Sequence, residues 1–449
     1  MSVRIANAAG FWGDYPDATR RLLDHGTFDY LQLEYLAEVT MGVLGKLHES
    51  DPDRGYATDF TRFVVADHLE ELIERNVTVV TNAGGINPEA CAREVLRLAD
   101  EQGVEVDVAT VTGDSVRADL DRLQTETGLC NVETDEPFPH ELDDVTAAVA
   151  YLGAFPVADA ISTGADIIIT GRIADPALTL GPLVHEYGWT RNDYDRLAAG
   201  VVAGHLIECG TQVTGGNFLG DWQSVDFENL GYPIAQVERD GTAVITKPQG
   251  TGGTVSTETV AEQLVYEVHD PSAYLTPDVT ADFTAPSVEQ LRENAVRVTG
   301  MEGRAPPEIY KATIHYESGY KLSGSLLYSR PDALAKAREA ASILDRRIDM
   351  LELDVDETHS EFVGHDAAHG PTAPPQDDHN EVMLRYAARS DDKAALRRLG
   401  MEFAPLSMAG PPSVTGLTDG GRPSPQPVID VWPTTVPDEA ATPEVITYD

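Results

Sequence analysis

Residues 165–183 read ADIIITGRIADPALTLGPL, and this stretch constrains the fold more than any other. Ile167, Ile168 and Ile169 leave no polar face, as expected for a strand covered on both sides. The run breaks at Thr170-Gly171, and Pro176 is placed to start a helix. Similar units precede it. VRIANA (3–8), FDYLQLEY (28–35), VTVVTN (77–82) and VEVDVAT (104–110) are strand patterns, with helical periods at 16–25, 36–48 and 57–75. Strands that alternate with helices build a parallel sheet with crossover helices. The expected fold is α/β with a largely parallel sheet, either doubly wound or closed as a barrel. YDRLAAGVVAGHLIECG (194–210) adds a largely buried helix.

From residue 231 the pattern changes. IAQVERDGTAVITK (234–247) is a hairpin turning at Asp240-Gly241, and YKATIHYESGYKLSGSLLYS (310–329) reads as a second, turning near Ser318-Gly319. A helix at 331–347, strands near 350–355 and 381–387, and a helix at 391–399 complete an α+β pattern. The expected division is an α/β domain over 1–230, a smaller α+β domain over 231–410, and a Pro-rich extended tail over 411–449 with one edge strand at 428–432.

A chain of 449 residues exceeds one ordinary domain and can bury a sizeable core. No run of 18 apolar residues predicts a membrane span, and MSVRIANAAG lacks the pattern of a signal peptide. Cys91, Cys130 and Cys209 lie too far apart for a disulfide framework or a zinc spacing. A cytoplasmic location is expected. Lys and Arg number 32 against 75 Asp and Glu, a net charge of −43, and only six residues are lysine. Repulsion on that scale destabilises a compact chain unless concentrated salt screens it, which points to a halophilic cytoplasm. The same charge repels nucleic acid and anionic membranes, so neither is expected as a partner.

In parallel α/β sheets the loops leaving the strands' C-terminal ends line the ligand crevice. Here those loops are NAAGFWGD (7–14), NAGGINP (82–88), TGDS (112–115) and TGRIADP (170–176). They bring forward Asn7, Asp14, Asn82, Gly84 and Gly85 as substrate-binding candidates, with Asp114 and Asp175 as acid–base candidates. The planar fork of Arg172 suits a carboxylate or phosphate. Each loop taken alone is also ordinary turn and cap chemistry, and Asp175 ahead of Pro176 is placed to cap a helix.

KPQGTGGTVSTETV (247–260) adds Lys247, Gly250, Gly252 and Gly253. Its amides, ahead of a helix capped by Ser256 or Thr257, suit an anion, while a plain turn explains the same glycines. Val255 breaks G-x-G-x-x-G, and no G-K-[ST] occurs. In HLIECGTQVTGGNF (205–218), His205 is either a core histidine or an acid–base group. Cys209 ends the helix, where the dipole opposes a thiolate, so a nucleophilic role is set aside. Asn217 follows in a candidate substrate-facing loop. Asp14, Glu34, Glu38, Asp114 and Asp175 would suit Mg²⁺, yet a chain with 75 acids yields such sets by chance. No cofactor is predicted, and histidine spacing does not fit zinc.

The blocks RIANAAGFWGDYPDA, LEYLAEVTM, VTNAGGINP, TGRIADPALTLGPL, GTQVTGGNF and TKPQGTGGTVSTETVAEQL together resemble the acyclic terpene utilisation (AtuA) family, in order, from residue 3 to at least 345. The resemblance implies the context of a gene cluster for degrading citronellol- and geraniol-type terpenes, whose neighbouring enzymes handle CoA thioesters of branched acids. It transfers no catalytic residues. The resulting expectation is a lyase or hydrolase acting on a branched acyl-CoA or hydroxyacyl-CoA, working as a homo-oligomer. The alternative is a non-catalytic subunit that binds and positions an acyl-CoA pathway enzyme.

Overall fold

The computed structural model describes residues 2–374, 376, 378–417 and 421–448. The expected strands form around the apolar runs: β1 (Val3–Asn7), β2 (Tyr30–Leu33), β3 (Thr78–Thr81) and β4 (Val108–Thr112). β5 (Val145–Ala150) was not legible as a strand, and β6 (Ile167–Thr170) is the triple-isoleucine run. β1, β2, β3, β6 and β4 pair side by side in that order, all parallel. Helices over Ala18–His25, Glu38–Ser50 and Pro88–Gln102 make the crossovers. Burial on both faces explains why the β6 isoleucines need no polar alternation.

The sheet is mixed rather than largely parallel. Its ten strands run Ser287–Arg292, Ala295–Thr299, β8 (Ala243–Thr246), β7 (Ile234–Val237), then the parallel five, then Glu444–Tyr448. The five outer strands are antiparallel to their neighbours. The boundary expected at residue 230 is therefore displaced. β7 pairs with β1, so the hairpin beyond residue 231 extends the first sheet. The chain divides instead into one compact unit over 1–315 and 431–449 and another over 316–430. The tail also differs from the expected surface run, because Glu444–Tyr448 covers the edge of β4.

Residues 310–329 do not turn at Ser318-Gly319 but continue as one strand, Ile309–Ser329, whose residues from 316 onward belong to the second unit. Gly319 takes φ +78 within it, and the strand stays in register with Glu381–Ser390 from Tyr320 to Ser329. A helix spans Ala333–Met350, and the strand expected at 350–355 forms later, at Glu357–Val363. Leu322, Leu326, Tyr328, Leu344, Tyr386 and Phe403 pack the core between helices and sheet.

Candidate active site

Parallel pairing brings the C-terminal ends of the central strands level, with Leu33 opposite Thr81 and Val111 opposite Thr170. The residues just past those ends are Glu34, Asn82, Asp114 and Arg172, all buried. Asn82 donates from Nδ2 to Glu34 Oε1, and its Oδ1 accepts the Tyr35 N–H at 2.8 Å. The Leu36 N–H also reaches Glu34 Oε1, at 2.8 Å. Asp114 Oδ2 accepts the Arg172 backbone N–H at 2.7 Å. Gly171 makes that approach possible, since a Cβ there would stand 2.5 Å from Asp114 Oδ2.

Arg172 is the hub, at 2% exposure. Nη2 pairs with Asp175 Oδ1 at 2.7 Å, Nη1 donates to the Leu36 carbonyl, and Glu34 Oε1 lies 3.9 Å away. The guanidinium stacks 4.1 Å from the centroid of the Tyr151 ring. Lys311 faces the same ring at 5.0 Å and pairs with Glu38. Asp175, Glu38 and Lys311 reach solvent, while Glu34, Arg172 and His315 do not. The cluster thus runs from a wet rim to a dry floor.

Burial sets the charge states on that floor. It pushes the Glu34 carboxyl up to about 8, helped by the Asp175 charge and opposed by Arg172. Burial raises Asp114 to about 6 against its bond from the Arg172 N–H. His315 is driven down to about 4 by burial, with Arg172 adding to the effect. Burial works against the Arg172 charge, but Asp175, Tyr151 and Glu34 hold it above the ordinary range. At neutral pH the floor therefore presents a fixed cation beside a carboxyl that keeps its proton. Glu34 Oε2, Arg172 Nε, His315 Nδ1 and Glu208 Oε2 are buried without hydrogen-bond partners among the described residues. Buried polar groups are ordinarily satisfied, so a concentration of orphans marks a place for a ligand or for water.

His205 and Glu208 close the helix Tyr194–Glu208. His205 Nδ1 lies 2.9 Å from Glu208 Oε1 and Nε2 2.8 Å from the Gln263 carbonyl, with Phe283 and Tyr274 edge-on to the ring. Burial lowers its pKa, but the Glu208 carboxylate and the Gln263 carbonyl outweigh that and raise it. Nε2 is engaged with the Gln263 carbonyl and Nδ1 lies beside the Glu208 carboxylate, so the ring is biased towards its charged form. Asp175 adds to its positive bias, which links this pair electrostatically to Arg172. Burial holds the Cys209 thiol far above its usual range, consistent with an inert thiol.

The remaining candidates do other work. Asp175 does not cap the helix Ala177–Tyr187, because its carboxylate turns to Arg172 instead. Asn7 donates to the carbonyls of Ile207 and Glu208, tying β1 to a helix end. Asp14 staples its loop by accepting from the N–H groups of Gly10 and Tyr15 and from the Tyr232 hydroxyl. Gly84 lets the loop after β3 press against Thr170, and Gly85 takes φ +52. Asn217 is exposed, at φ +57 in a turn.

Lys247 donates to the Thr251 carbonyl at 2.6 Å, clamping the loop that holds Gly250, Gly252 and Gly253. Six of the amides around this loop are occupied. Gly252 N–H bonds Asn229, Thr254 bonds Thr214, Val255 bonds Asn294, Thr257 bonds Gln290, and Ser256 and Thr259 bond each other. This loop packs against residues 214, 226 and 229–231 and, among the described residues, brings no bond to the Arg172 cluster. Among the described residues, no group of three or more His, Cys, Asp or Glu is set to hold a metal.

Sequence reasoning missed Tyr151, Lys311 and His315, which arrive from just past the end of β5 and from the strand Ile309–Ser329. The rarity of lysine was the one available signal, and it drew attention to Lys247 instead.

Fold and site together define an α/β protein whose central parallel strands end on a buried, charge-coupled polar cluster. The family model for acyclic terpene utilisation family protein AtuA matches residues 3–447, and the chain belongs to that family. Membership places it in acyclic terpene utilisation. No curated protein and no solved structure matches the chain. Among the described residues, no helix is long and apolar enough to cross a membrane.

Proposed function

We propose that the chain is a cytoplasmic enzyme of acyclic, branched acyl-CoA breakdown, a lyase or hydrolase that acts on a CoA thioester at the Arg172 cluster. The observation that carries this reading is the pairing of a neutral buried carboxyl, Glu34, with a fixed guanidinium, each with an unpartnered polar atom. Two such donors suit the oxygen of a thioester carbonyl, where negative charge develops during acyl chemistry. In the lyase form, Asp175 on the wet rim takes the proton of a 3-hydroxyl group. The C2–C3 bond breaks to leave a carbonyl on the departing fragment. The electron pair passes to an enolate held by Arg172 and Glu34, and a proton returned to C2 completes the product. In the hydrolase form, the same carboxylate activates water against the thioester carbon.

The test is thermal unfolding of the full chain in molar KCl with isovaleryl-CoA or a 3-hydroxyacyl-CoA. A ligand at a hundred times its dissociation constant adds about 2.7 kcal/mol. Arg172→Lys should keep the fold yet lose most of that shift, since an ammonium cannot reproduce the fork. Equal stabilisation of variant and wild type would refute the assignment. A second reading, a non-catalytic subunit, draws on Leu219, Trp222 and Phe227, three large apolar side chains exposed in one loop. It predicts no thioester-induced shift.

A further inference from the structure

The second unit contains a cavity of about 280 Å³ lined by Lys321, Ser323, Ser325, Arg422, Ser424 and Gln426, with three small residues between them. Lys321, Ser323 and Ser325 lie two apart on one strand, so they share a face. Ser325 is only 6% exposed, and its hydroxyl bonds to no other described residue. Gln426 donates to Ser424 Oγ at 3.2 Å, which fixes the far wall. Neither Lys321 nor Arg422 is held in an ion pair among the described residues.

Charge decides what such a cavity accepts. The chain carries 75 acids against 32 bases, yet the described residues of this lining include two bases and no acid. Some cations of the same unit are drawn to a neighbouring carboxylate, as Arg389 is to Asp430 and Arg385 to Glu361; Lys321 and Arg422 converge on one cavity instead. Two exposed cations that make no ion pair among the described residues, set beside the Ser323 and Ser325 hydroxyls, raise the local potential in an otherwise repulsive field. The planar fork of Arg422, the point charge of Lys321 and a set of hydroxyls match the oxygens of a phosphate group. The volume falls just below the range of ligand sites, about 300–1,000 Å³, and suits a diphosphate rather than a whole cofactor.

We propose that this cavity is a phosphate-ester subsite, with Lys321 and Arg422 neutralising the ligand and the Ser323 and Ser325 hydroxyls as hydrogen-bond donors. The site stands on its own lining; only the identification of its ligand as part of a CoA thioester rests on the function proposed above.

The experiment is isothermal titration of the full chain, at fixed ionic strength, with inorganic pyrophosphate, CoA and 3′-dephospho-CoA. Pyrophosphate should bind, and the double variant Lys321→Gln/Arg422→Gln should weaken it at least tenfold. Lys393→Gln, a charge change elsewhere in the unit, should leave it unaltered. Absent pyrophosphate binding, an unaffected double variant or an equal loss in Lys393→Gln would each overturn the proposal. CoA binding that exceeds that of 3′-dephospho-CoA and disappears in the double variant identifies the source as the thioester's own phosphates. Pyrophosphate binding without CoA binding leaves the subsite standing for a free phosphate ligand while the thioester reading falls.

Discussion

Replacing Glu34 by glutamine isolates the most unusual charge state in the molecule. Its carboxyl has an ordinary value of 4.5 and is pushed up to about 8 in the fold. The native state therefore binds a proton more tightly than the unfolded chain, and the neutral form is the stable one. The contribution is fully present below pH 4.5 and is lost as pH rises towards 8. One proton limits the slope to about 1.4 kcal/mol per pH unit, and the whole span sets a ceiling of about 5 kcal/mol. Glu34→Gln keeps an oxygen for Asn82 and Leu36 and cannot ionise. Denaturant unfolding in molar KCl should find wild type and variant within about 1 kcal/mol near pH 5. The variant should then gain relative stability steadily up to pH 8. Asp114 and Asp278, both raised to about 6 by burial, contribute equally to the two proteins and cancel in the difference. A difference that stays flat from pH 5 to pH 8 would mean that Glu34 is ionised in the fold, and the proton-donor role would fall with it.

Two further outcomes follow from the same geometry. Gly171→Ala places a methyl group where the Asp114 carboxylate stands, so the carboxylate must leave the Arg172 N–H. That change should cost about 1.5–3 kcal/mol in denaturant unfolding, and a loss below about 0.5 kcal/mol would show that the contact is dispensable. Unfolding temperature should climb steeply between low and molar KCl, because a net charge of −43 must be screened; a flat curve would refute the halophilic reading.

Much of the sheet was legible because each central strand announces itself locally. The β6 isoleucines, the short apolar runs of β1 to β4 and the Asp240-Gly241 turn are decided by residues within a few positions of each other. The expected hairpin at 310–329 failed for a related reason. Ser-Gly is a turn signal only if the flanking segments fold back on each other, and here both halves find partners elsewhere along one continuous strand. Cap chemistry misled at Asp175, since a buried guanidinium three residues away competes more strongly for a carboxylate than a helix amide does.

The sequence alone determined the parallel core, the presence of Arg172 just beyond a buried strand, the scarcity of cations and the family. Tertiary structure decided what Arg172 meets. Tyr151 lies 21 residues before it, while Lys311 and His315 lie well over a hundred residues after it, and none carries a local signal that points to the strand ends. Tertiary structure also decided protonation. Glutamate 34 is an ordinary acid in the sequence, and it keeps its proton only because packing removes water from both oxygens and sets Asp175 nearby. Local pattern fixes where a chain turns and pairs, but desolvation depends on every segment that closes over a site, and no single segment contains that information.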